Sequence, residues 1–76
     1  GMSEKLPVLS ARDLMRVLKN HGYEFDRQSG SHIILRQKVA PYRRATIPNH
    51  KELAIGTLRD IMRQTGLSIE DLRSAL

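Results

Sequence analysis

Three histidines are the residues of this 76-residue chain best suited to moving a proton near neutral pH, because an unperturbed imidazole titrates at about 6.5. Their settings differ. His21 stands next to Gly22 at the end of a helical pattern, where a cation or a bond to terminal carbonyls is favourable, and it reads as structural. His50 follows Pro48-Asn49, a turn setting. His32 follows Gly30-Ser31 at the start of a strand pattern, with basic residues nearby. On residue type alone, an isolated strand histidine is more often a surface group than a catalyst. The acidic residues are scattered, cysteine is absent and no His-x-x-x-His pair occurs, so neither a metal centre nor a cofactor is expected.

The second chemical signal is charge. The chain carries 13 Lys and Arg against 8 acids, a formal +5, and residues 27–51 hold six of those bases (Arg27, Arg36, Lys38, Arg43, Arg44, Lys51) without one acid. The rest of the chain sums to −1. Such segregation is what a phosphate-binding surface requires, although scattered bases also keep small proteins soluble. Arg36, Lys38, Arg43, Arg44 and Lys51 are therefore candidate nucleic-acid contacts. His50 is either a sixth contact or a turn residue.

These residues need elements to hold them. Ser10 and Asp13 resemble a capping box, flanked by Leu9 and Leu14 as a hydrophobic staple, and predict a helix over residues 10–21 that Gly22 ends. The apolar period then changes to two. Tyr23 and Phe25 alternate with Glu24 and Asp26, Ser29-Gly30 marks a turn, and residues 31–37 and 43–47 read as further strands, with Pro48 closing the last. Leu58, Ile61 and Met62 restore helical spacing after Gly56-Thr57, with Thr57 in position to cap, and Gly66 stops that helix. Ser68 and Asp71 repeat the capping box before a short C-terminal helix.

The predicted class is α+β, in the order α-β-β-β-α-α: a three-stranded antiparallel sheet covered by helices on one face. Strand parity turns Tyr23, Phe25, Ile33, Leu35, Ala45 and Ile47 toward the helices. It leaves His32, Ile34, Arg36, Arg44 and Thr46 on the opposite, open face. The length suits one domain, residues 2–76, with Gly1 read as a scar of tag removal. No apolar run approaches the roughly 20 residues of a membrane span, and the absence of cysteine fits a reducing compartment, so a cytoplasmic protein is expected.

Three blocks then resemble one family in order and spacing: Gly30-Ser31-His32-Ile33-Ile34-Leu35, Thr46-Ile47-Pro48-Asn49-His50, and Gly56-Thr57-Leu58-Arg59-Asp60-Ile61. Together they are similar to the HicA toxins, a likeness extending from about Ser10 to Leu72. The resemblance implies a double-stranded-RNA-binding-domain-like fold and a type II toxin-antitoxin role. It also implies messenger RNA cleavage without a metal, and neutralisation by a HicB-like antitoxin. The family's functional histidine falls on His32. The chain departs from the common pattern mainly over residues 37–44, which bears on Lys38, Arg43 and Arg44 rather than on His32. Two other readings use the same residues: a non-catalytic double-stranded-RNA-binding module on the basic segment, and, with less support because no helix-turn-helix is evident, a DNA-binding regulator.

Overall fold

The computed structural model describes residues 5–76 and contains α1 (Ala11–Asn20), β1 (Tyr23–Ser29), β2 (His32–Gln37), β3 (Arg44–Pro48), α2 (Ile55–Thr65) and α3 (Ile69–Arg73). The expected scar at Gly1 lies outside the described residues. The three strands form one antiparallel sheet in the order β1-β2-β3, each strand beside its neighbour in sequence.

The helix starts are those expected from the capping boxes. The Ser10 hydroxyl accepts from the Asp13 backbone N–H at 3.0 Å while the Asp13 carboxylate accepts from the Ser10 N–H at 3.1 Å. The same reciprocal pair joins Ser68 and Asp71, at 3.1 and 2.9 Å. Leu9 and Leu14 are both buried, as are Leu67 and Leu72, so each box is closed by its apolar staple. Left-handed Gly22 and Gly66 follow α1 and α2.

One core joins the layers. Leu14, Val17 and Leu18 of α1, Leu58 and Ile61 of α2 and Leu72 of α3 pack with Ile33, Leu35, Ala45 and Ile47 of the sheet. Alternation therefore holds in β2 although Ile33, Ile34 and Leu35 are all apolar: the first and third are buried, the second half-buried. The segment after β3 is tied to α1 by two backbone bonds, Ala11 N–H to the His50 carbonyl at 2.9 Å and Leu53 N–H to the Leu9 carbonyl at 2.8 Å. His21 closes the far end of α1 against α3, with its Nε2 3.8 Å from an Asp71 carboxylate oxygen, a structural position. No helix among the described residues is long and apolar enough to cross a membrane.

Two expectations are corrected. Phe25 lies on the helix side of the sheet, opposite Leu35, yet remains 50% exposed. It belongs to the outer strand, just before a bulge that places Asp26 out of register, and the helices do not reach it. Thr57 does not cap α2. Leu53 is buried and anchored to Leu9, so the chain turns into the helix directly afterwards, with extended Ala54 at the cap position and no side-chain cap bond.

Candidate functional site

His32 is the first residue of β2, and its position is set by the turn before it. Ser29 pairs with His32 across a two-residue loop, and the loop's first residue, Gly30, has φ +58°. A glycine with positive φ at the first loop position followed by an ordinary residue is the type II′ pattern, whose twist matches that of the flanking strands. On the other side His32 pairs with Pro48, and the Asn49 N–H donates to the Ser31 carbonyl at 2.7 Å. The histidine is thus held from both neighbouring strands while its ring stays exposed.

Register identifies its companions, because directly opposed residues of an antiparallel pair share a face. Glu24, Arg36 and Arg44 form one row across the open face, Arg27, Ile34 and Thr46 a second, and Ser29, His32 and Pro48 a third. Arg36 and Arg44 therefore share the face of His32 as expected, but lie four residues along the strand, about 13 Å away at the rise of a β-strand. Arg36 is half-buried, and its Nε has no hydrogen-bond partner among the described residues. Lys38 and Arg43 sit beyond the opposite end of β2, where the turn is closed by Gln37 bonds to Arg43, and are not brought to His32.

His50 and Lys51 go to the start of α1. With Ser10, Arg12 and Asn49 they line a shallow cleft, and the His50 carbonyl is already committed to the Ala11 N–H. His50 follows Asn49, whose backbone bonds Ser31, so His32 and His50 occupy the same end of the sheet. Among the described residues no three His, Cys, Asp or Glu side chains gather where a metal ion can be held.

A family model described as HicA toxin of bacterial toxin-antitoxin matches residues 11–67. The chain belongs to the HicA toxin family. Membership makes it a toxin component of a toxin-antitoxin system. No curated protein and no solved structure matches the chain. The HicA match spans α1 through the glycine stop of α2, so every candidate contact from His32 to Lys51 lies inside it and α3 lies outside.

Four basic residues of this HicA toxin, three on α1 and one on β1, are not among the candidates that the sequence singles out. Arg12, Arg16 and Lys19 recur at helical spacing and line a cleft along α1 together with Asn49; their i, i+4, i+7 spacing was the available signal. Arg27 belongs to the basic segment yet has no place in the strand-parity assignment. Its signal was the turn: if Ser29 faces His32, then Arg27, two residues earlier, shares their face.

Proposed function

We propose that this toxin is an endoribonuclease that cleaves messenger RNA without a metal, with His32 moving the proton. The reading is carried by His32 itself: an exposed imidazole, fixed by a tight turn and two paired strands, on a sheet face that also bears arginines. RNA supplies its own nucleophile. His32 takes the proton of a 2′-hydroxyl, the 2′-oxygen bonds to the adjacent phosphorus, and the P–O5′ bond breaks with a proton delivered to the leaving oxygen. The products are a 2′,3′-cyclic phosphate and a 5′-hydroxyl. Imidazole suits both transfers because its ordinary pKa lies near working pH. Arg36, Arg44, Lys38, Arg43, Lys51 and His50 attract and orient the phosphate backbone. With one well-placed histidine and no second acid or base paired with it among the described residues, the enzyme is a slow one. A HicB-like antitoxin is its inhibitor, and one domain spanning residues 2–76 is the unit of activity.

The test compares wild type with His32→Ala on RNA in EDTA, with circular dichroism for folding. The variant should stay folded, because His32 is exposed, and should lose cleavage by at least the 10²–10⁴-fold that a proton-transfer group contributes, so about 10²-fold or more. Equal cleavage by a folded variant would reject the assignment. RNA binding without cleavage by the wild type would favour a non-catalytic RNA-binding module instead.

A further inference from the structure

We propose that Arg27 is the phosphate-binding partner of His32, turned onto the histidine's face by the bulge in β1. This rests on the reading of the site as one for RNA and names the residue that holds the phosphate nearest the imidazole.

The register carries the argument. β1 enters the sheet with Phe25 opposite Leu35, on the helix side. Uniform alternation from there would put Asp26 opposite Ile34 on the open face, and Arg27 opposite Ile33 on the helix side. Instead Asp26 is left unpaired, Arg27 stands opposite Ile34, and Ser29 opposite His32. One extra residue therefore brings a base onto the face that holds the histidine. Bulges re-aim side chains in this way, and they are over-represented beside active sites.

Arg27 is then the diagonal neighbour of His32 across the β1–β2 pair, about 7–8 Å away by strand geometry and within reach of a long side chain. Arg36 and Arg44 are farther along the sheet. The other diagonal neighbour of His32, on β3, is the uncharged Thr46. Arg27 is exposed and makes no ion pair or side-chain hydrogen bond among the described residues, so its guanidinium is available. Two side chains whose backbones stand about 7–8 Å apart on one face can close on a tetrahedral phosphate from either side, the imidazole at one and the planar fork of donors at the other. The fork can bond two non-bridging oxygens at once as charge accumulates on them in the phosphorane. A bulge also blunts a sheet edge against pairing with other chains, and if that were its whole purpose Arg27 would be replaceable.

Cleavage of a single-stranded RNA by Arg27→Gln, Arg27→Lys and the remote surface variant Arg73→Gln separates the two purposes. Loss of a fixed donor to a developing oxyanion lowers kcat by about 10²–10³-fold. Arg27→Gln should show that loss with a smaller change in KM, and its pH–rate profile should keep the wild-type imidazole limb. Arg27→Lys should recover part of kcat, because charge returns without the fork. Arg73→Gln should match wild type. A folded Arg27→Gln protein with wild-type kcat would overturn the proposal. A second measurement does not depend on turnover: the affinity of the same RNA for His32→Ala and for His32→Ala/Arg27→Gln, followed against salt. Removing one phosphate contact should lower the log–log slope by about 0.7. An unchanged slope would overturn the Arg27 contact while leaving RNA binding in place. Failure of both proteins to bind RNA would overturn the contact and the RNA reading together. Cleavage absent from wild type, with the slope still falling, would reject only the nuclease reading.

Discussion

Gly30 is the residue on which the geometry at His32 depends most directly. Its φ of +58° belongs to the left-handed region, which costs an L-residue roughly 1–2 kcal/mol. A Cβ there would meet nothing within 4 Å, so the cost of Gly30→Ala is conformational and not steric. Gly66, at φ +77° after α2, carries the same penalty with the same open space. Both alanine variants should therefore lose about 1 kcal/mol in urea denaturation, but Gly30→Ala alone should also reduce cleavage, because only its turn aims His32. Equal activity in the two would show that the turn does not set the site. At this scale much was legible: Gly30-Ser31-His32 marks both the turn and the residue it presents. The exposure of Phe25 was not. Parity counted forward from Tyr23 and parity counted back from His32 disagree by one residue between Phe25 and Arg27. That disagreement is the trace of the bulge, visible only when both ends of the strand are read together.

The helices show which local signals survive folding. Both capping boxes form because every partner lies within three residues, so no tertiary arrangement is needed to complete them. The expected cap at Thr57 fails because a tertiary anchor, Leu53 on Leu9, decides where α2 begins. The boxes also leave a signature in acid. The Ser10 backbone N–H, then its hydroxyl, hold Asp13 below the usual carboxylate range, with smaller help from Arg16. Ser68 does the same for Asp71, with His21 adding a weaker attraction. A carboxylate whose folded pKa is depressed contributes stability that is fully present above its unfolded value of about 3.9 and is lost as pH falls through the folded value. The urea midpoint of wild type should fall between pH 5 and pH 2.5 by more than that of Asp13→Asn/Asp71→Asn. Parallel loss in the two proteins would mean that the acid limb arises elsewhere.

Over the whole molecule, counting charge by segment found the basic stretch of residues 27–51 but concealed how bases and acids are arranged in space. Outside that stretch the chain sums to −1, yet Asp13 is occupied by its cap and by Arg16 at 3.3 Å, and Asp71 by its own cap and His21. The bases of α1 therefore extend the positive surface past Asn49 toward His32. A surface so charged attracts an acidic protein as readily as RNA, and complementary charge speeds the encounter. Amide exchange on the toxin alone and with the HicB-like antitoxin proposed above should show protection concentrated on residues 31–36 and 43–46. Protection confined to the helices, with His32 still open to a chemical probe, would reject covering of the site as the means of inhibition. The strand order described above bears on time as well as on shape. Each strand pairs only with the one before or after it, through short connections, so little loop entropy stands between a newly made chain and its sheet. Mixed helix-and-sheet folds assemble between the fast helical bundles and the slow all-β barrels, on the order of milliseconds. A toxin released from the ribosome is thus in working order almost as soon as it is complete, and its restraint depends on inhibitor already waiting.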